Sequence, residues 1–203
     1  MDAGAILERV LPHVVRRGFL EPAEHDALLD WAIGQEDAFA ASRLGGGGVD
    51  AGVRNSLSLP GAVLAQWEPV LVERMRAALP GLCENLGMLA FAAGRVELQM
   101  VAYRDGGFYR RHRDIAYRED RPGVRALSGV YYLHGEPRGY SGGALRLHAI
   151  GEGSAAFADV EPQANALVAF PAWAPHEVLP VSCPSGAFAD ARFAINFWVH
   201  VAA

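Results

Sequence analysis

Cysteine is nearly absent: the 203 residues contain two, Cys83 and Cys183. So few exclude a disulfide-dense secreted scaffold, and their isolation excludes the paired-cysteine spacing of a structural zinc site. Long apolar runs are missing as well. No stretch reaches the length of a membrane span, and Met1-Asp2-Ala3-Gly4 has no basic segment leading into an apolar run. Positive charge is in deficit, with 18 Lys plus Arg against 23 Asp plus Glu and a net charge of -5. That balance argues against nucleic acid as a partner, although a local basic stripe stays open. The expectation is a protein of the reducing cytoplasm with no membrane partner.

Glycine and proline are plentiful, 23 and 12 residues. They argue against an all-helical bundle and for a chain full of turns. Apolar types at 51% and charged types at 20% support a folded core. The length fits one domain.

Along the chain, residues 1–33 read as helical. Ile6, Leu7, Val10, Leu11, Val14 and Val15 recur at helical spacing, with Pro12 as a kink and Gly18 as a break. A second helix then starts near Glu21-Pro22 and carries Leu28, Leu29 and Ile33. Residues 34–60 look like a loop around the tetrad Gly45-Gly46-Gly47-Gly48, followed by a short strand over 53–59. The tetrad is either a plain mobile loop or a lid over a site. Residues 65–79 form a further helix that Pro80-Gly81 should stop. From Val96 onward the pattern changes to strands over 96–103, 126–133, 143–147, 166–170, 176–181 and 192–201, with turn residues between them. The reading is mainly β with N-terminal helices. Residues 1–94 supply helical support and the mobile loop, and 95–203 supply the β core of a single domain.

His112-Arg113-Asp114 is the informative local unit. In a strand, residues two apart point the same way, so one imidazole and one carboxylate can face one ion. His176 follows the rigid turn Phe170-Pro171-Ala172-Trp173-Ala174-Pro175 and can supply a third ligand. Two histidines and a carboxylate on one face of an octahedral ion make the facial triad of non-haem iron(II) oxygenases, with three positions left open.

The surrounding blocks carry more. They are Gln99-Met100-Val101-Ala102-Tyr103, Gly107-Phe108-Tyr109-Arg110-Arg111-His112-Arg113-Asp114, Leu127-Ser128-Gly129-Val130-Tyr131-Tyr132-Leu133, and Gly142-Gly143-Ala144-Leu145-Arg146-Leu147. Asn165-Ala166-Leu167-Val168-Ala169-Phe170, Pro175-His176-Glu177-Val178 and Arg192-Phe193-Ala194-Ile195-Asn196-Phe197-Trp198 follow. In this order, over about half the chain, they resemble the prolyl 4-hydroxylase-like branch of the iron(II)- and 2-oxoglutarate-dependent dioxygenases. The resemblance implies a double-stranded β-helix (jelly roll, cupin-like). It implies iron ligation by His112, Asp114 and His176. It implies Fe(2+), 2-oxoglutarate and O2 as reactants, with ascorbate as a candidate reductant.

The implied activity is hydroxylation of an aliphatic C–H bond, with release of succinate and CO2. The implied substrate is a peptidyl prolyl or other amino-acid-like group on a peptide, protein or small molecule. A small natural product, or a non-catalytic jelly-roll binding protein, is the alternative. Arg192 matches the basic residue that pairs with the distal carboxylate of 2-oxoglutarate, a task that suits a guanidinium fork. It lies further beyond His176 than the family pattern has it, and residues 182–190 are expected to lengthen a hairpin turn between the two strands. Tyr132 matches a second donor to that carboxylate, and Tyr103 is the next candidate for the pocket wall. Tyr131 and Tyr132 should point to opposite faces, and both Tyr132 and Tyr103 could equally be core aromatics. Substrate-side candidates are Arg54, Tyr109, Arg113 and Trp198. Arg110, Arg111, Arg113, Arg118, Arg121 and Arg125 form a basic run that is either a solvated rim or a steering surface.

Overall fold

The computed structural model describes residues 10–44, 47–115, 124–150 and 154–202. In chain order the strands and helices are β1 (Val14–Arg17), α1 (Pro22–Ile33), β2 (Ala40–Ala41), β3 (Arg54–Asn55), β4 (Leu57–Ser58), α2 (Gly61–Leu64) and α3 (Glu68–Leu86). Then come β5 (Ala93–Tyr103), β6 (Phe108–His112), β7 (Arg125–Leu133), β8 (Ser141–Gly142), β9 (Leu145–His148) and β10 (Phe157–Val160). The last are β11 (Ala166–Pro171), β12 (His176–Val178), β13 (Val181–Ser182) and β14 (Arg192–Val201).

A seven-stranded sheet has the order β1-β11-β7-β14-β5-β4-β2, and a five-stranded sheet the order β10-β9-β12-β6-β3. Alternation along the central strands of the large sheet divides its side chains between two cores. Met100, Tyr131, Leu133, Phe193, Ile195 and Phe197 pack with Leu28 of α1 and with Leu71, Met75 and Leu79 of α3. Val101, Tyr103, Tyr132, Phe170 and Ala194 turn the other way and pack against Leu145, Leu147 and Val178 of the small sheet. The inner face of each sheet therefore meets the other, and the site lies between them.

Four expectations are corrected. Val14 and Val15 belong to a strand, not a helix: β1 pairs antiparallel with β11, from Val14 opposite Ala169 to Arg17 opposite Ala166. Both residues are β-branched, and the open edge of β11 supplies backbone partners that an isolated short helix could not match. Ile6 and Leu7 lie outside the described residues.

The helix expected to stop at Pro80 continues to Leu86. Pro80 sits on the exposed side, while Leu82, Cys83 and Leu86 extend the buried stripe. Their burial outweighs the one backbone hydrogen bond that proline removes. Gly87, at φ 65, ends the helix instead, and Met88 N–H donates to the Cys83 carbonyl.

Residues 182–190 do not lengthen a hairpin. His176 lies in the small sheet and Arg192 in the large one. The connection crosses between sheets through β13, which pairs with β8 in a separate ribbon, and a short 3-10 turn over Phe188–Asp190. The strand expected over 53–59 likewise splits. β3 pairs with β6 of the small sheet and β4 with β5 of the large one, with the switch at Ser56. That switch carries Arg54 into the space between the sheets.

Candidate active site

His112 ends β6 and stands opposite His176, which begins β12. Asp114 follows two residues after His112, held where its own N–H donates to the Ala172 carbonyl. One ligand atom from each of the three lies within 4.8 Å of the others. His112 Nε2 is 3.7 Å from Asp114 Oδ1, and His176 Nε2 is 3.5 Å from Asp114 Oδ2.

The other ring nitrogens are committed. His112 Nδ1 lies 2.8 Å from the Arg110 carbonyl and His176 Nδ1 lies 2.9 Å from the Ala174 carbonyl. A carbonyl only accepts, so each Nδ1 carries the proton and each Nε2 offers its lone pair to the shared point. Ser128 Oγ donates to Asp114 Oδ2 at 2.7 Å, and Arg125 Nη1 donates to the Asp114 carbonyl at 3.1 Å.

Burial, then the His176 charge, pulls His112 down to about 3, so its imidazole is neutral. Burial pushes the Asp114 carboxyl up, but His176, His112 and the Ser128 hydroxyl outweigh it and hold it below the usual value. Two imidazole Nε2 atoms and a carboxylate converge. That is the deprotonated donor set an octahedral divalent cation of the iron(II) type requires, with one face left open.

These three side chains line a cavity of about 590 Å3 whose other walls include Tyr103, Leu145, Arg192 and Asn196. Arg192 is fully buried. Its Nε donates to the Gly143 carbonyl at 2.8 Å, while Nη1 and Nη2 have no partner among the described residues. Its guanidinium carbon lies 5.0 Å from the ring centres of both Tyr103 and Tyr132. Gly143 must be glycine here: it has φ +69, and a Cβ would come within 2.5 Å of Arg192 Cδ.

The Tyr132 hydroxyl is also buried without a partner among the described residues, and burial pushes it up to about 12 despite the nearby Arg192. It is therefore a neutral donor. A buried, unpaired guanidinium edge beside an unpaired phenol fits a carboxylate. Tyr131 turns to the other face, where His25 Nδ1 meets its hydroxyl at 2.7 Å.

The substrate-side candidates also converge. Arg54, Tyr109, Arg113 and Trp198 all line the cavity. Tyr109 stacks on His112 with ring centres 3.6 Å apart. Arg125 lies over Trp198 at 4.2 Å. The basic run splits: Arg113 and Arg125 line the cavity, whereas Arg110 reaches the Gly52 carbonyl and Arg111 the Ala149 carbonyl. Arg118 and Arg121 lie outside the described residues, as do Gly45 and Gly46 of the glycine tetrad. Gly47, with Arg43 and Leu44, lines the cavity mouth.

Sequence reasoning missed Ser128 and Glu97. Ser128 is the one serine in strand β7, is buried, and lies opposite Trp198 on β14. A polar residue in a buried strand was the available signal. Glu97 accepts from Arg125 at 3.1 Å and pairs with His200 at 2.5 Å.

Comparison with known proteins bears on this geometry. A family model described as the 2OG-Fe(II) oxygenase superfamily matches residues 98–200. An uncharacterized PKHD-type hydroxylase of Synechocystis sp. is 30% identical over 189 residues, covering 90% of this chain and 61% of the relative. The chain thus spans about three fifths of that relative's length. A Pseudomonas putida prolyl-4-hydroxylase superposes with a TM-score of 0.64 at 24% identity, over 94% of this chain and 93% of the other. A prolyl hydroxylase from Trichoplax adhaerens, solved with a hypoxia inducible factor oxygen degradation domain peptide fragment, gives 0.62 at 20% identity, over 93% and 83%. At those identities the likeness is one of fold.

Proposed function

The chain belongs to the 2OG-Fe(II) oxygenase superfamily, and from that premise we propose that it is a 2-oxoglutarate-dependent iron(II) hydroxylase acting on an amino-acid-like substrate, with a peptidyl prolyl group as the leading class. The observation that carries this reading is the pair of unmet needs in one cavity. The triad offers an open-faced cation site, and the buried Arg192 edge with the Tyr132 hydroxyl offers a carboxylate site. We read the two facing sheets as a double-stranded β-helix, with residues 95–203 as its core and 1–94 as support within one domain. No described helix is long and apolar enough to cross a membrane. Cys83 and Cys183 are free and buried, which supports a reducing, cytoplasmic setting.

Iron(II), when bound, supplies the redox chemistry by which O2 and 2-oxoglutarate oxidise a C–H bond, giving an alcohol, succinate and CO2. The protein's work is positioning. His112 and His176, fixed through Nδ1, present Nε2 to the metal, and Ser128 holds the Asp114 carboxylate in register. Arg192 and Tyr132 would donate to the distal carboxylate of 2-oxoglutarate and so orient its keto acid toward the triad. Tyr103 covers the guanidinium from the β5 side. Tyr109 and Trp198 narrow the substrate side and keep water from it.

Anaerobic titration with iron(II) and then 2-oxoglutarate tests the two sites. A screen of proline-containing peptides and free amino acids for substrate-coupled succinate release then tests the activity. Failure of the metal-loaded protein to bind 2-oxoglutarate overturns the reading.

A further inference from the structure

Arg54 is a buried cation without a counterion among the described residues. It is 6% exposed. Its Nε donates to Ser56 Oγ at 2.9 Å and its Nη2 to Gln99 Oε1 at 3.1 Å, both neutral acceptors. Ser56 is itself anchored, donating to Ser42 Oγ at 2.8 Å. No carboxylate pairs with Arg54 among the described residues, and Nη1 makes no hydrogen bond there. The guanidinium lies over the Tyr109 ring at 4.7 Å, and that ring stacks on the ligand His112. A buried charge is strongly unfavourable unless something compensates it. The Tyr109 face and two neutral acceptors do so only in part.

The cavity's charge balance points the same way. Among the described residues, five arginines line it and two carboxylates, Glu97 and Asp114. Glu97 is engaged with Arg125, and Asp114 belongs to the triad. Arg192 is committed to the cosubstrate in the reading above. Arg54 is left, with the exposed Arg43 and Arg113 near it on the wall. In a protein of net charge -5 this is a local concentration of positive field.

We propose that the substrate carries a carboxylate and that Arg54 is the residue that binds it. Among the described residues both hydrogens of Nη1 and one of Nη2 are uncommitted, which is the edge of the guanidinium that takes a carboxylate bidentately. The Tyr109 ring lies 4.7 Å from the guanidinium carbon and stacks on His112 at 3.6 Å, so the carboxylate sits within a few extended residues of the metal position. The substrate class is therefore a small acylated amino acid, or a peptide that presents its terminal carboxylate next to the oxidised residue. An internal segment of a chain, neutral at that position, would leave Arg54 unpaired. This inference rests on the hydroxylase reading.

The test uses the full chain loaded with Mn(II) and saturating 2-oxoglutarate, so that added carboxylates cannot enter the cosubstrate site. N-acetyl-L-proline and N-acetyl-L-leucine are titrated against their primary amides by calorimetry, with broadening of probe proton signals by Mn(II) reporting proximity to the metal. The acids should bind roughly tenfold or more tighter than the amides, as expected for a charge-assisted pair. R54Q should remove that preference without changing the affinity for 2-oxoglutarate, and R54K should keep part of it, having the charge but not the fork. Equal binding of acid and amide to the wild type, or no binding of either to the limit of solubility, overturns the proposal. A preference that survives in R54Q also overturns it. If R54Q fails to fold, the wild-type comparison and R54K decide. Loss of 2-oxoglutarate binding by the wild type instead takes down the hydroxylase reading itself, and is seen before any probe is added.

Discussion

His112 and His176 face each other across the pairing of β6 with β12, their ring centres 4.2 Å apart, and each donates an Nδ1–H hydrogen bond to the carbonyl two residues before it. The backbone of two neighbouring strands therefore sets both tautomers. Asp114 has a different support, the Ser128 hydroxyl from the opposite sheet. H112A and D114A should abolish metal-dependent succinate formation while leaving the fold intact, as judged by circular dichroism. S128A should be milder. Loss of an outer hydrogen bond of this kind lowers metal affinity by roughly 10- to 100-fold, which Mn(II) titration can read. Unchanged affinity in S128A would mean that Asp114 is held by its backbone alone.

R192A should raise the apparent KM for 2-oxoglutarate. A hydrogen bond to a charged group is worth about 1.5–3 kcal/mol, so the increase should be roughly tenfold to a hundredfold. Y132F removes one neutral donor and should cost less. Steady-state kinetics at varied cosubstrate, with metal saturating, measures both. An unchanged KM in R192A would place the cosubstrate carboxylate elsewhere in the cavity.

G143A reaches the same arginine indirectly. The new methyl would overlap Arg192 Cδ, and the backbone there is left-handed, a conformation that costs a non-glycine residue about 1–2 kcal/mol. The variant should melt at a lower temperature than wild type and bind 2-oxoglutarate more weakly, with metal affinity retained. Equal loss of metal and cosubstrate binding would show a general collapse, not a displaced Arg192.

Much of this site can be read in the sequence, and the reason is local. His112 and Asp114 share a face because they are two apart, and Arg192 begins a long alternating strand. The assignment of Tyr131 and Tyr132 to opposite faces follows from the same period, and each now has its own core. What was not legible depends on distant partners. Val14 and Val15 form a strand because the edge of β11 is there to pair with. Pro80 stays inside a helix because Leu82, Cys83 and Leu86 are buried beyond it. The burial of Arg54 comes from a chain that changes sheets at Ser56, which no periodicity announces.

Glu97 carries the pH prediction. Burial pushes its carboxyl up, but Arg125, His200 and Arg95 outweigh that and hold it below 4.5. A depressed folded value means that the native state binds this proton less readily than the unfolded chain does. The stabilisation is therefore fully present above about 4.5 and is lost as the pH falls through the folded value. E97Q should be less stable than wild type near neutral pH, because Arg125 and His200 lose their anion. Its deficit should shrink on acidification, since the wild-type carboxylate is then being protonated too. Urea unfolding of both proteins near neutrality and again well below 4.5 compares the two deficits. A deficit that stays constant with pH would mean that Glu97 acts through packing and hydrogen bonding alone, with no net contribution from its charge.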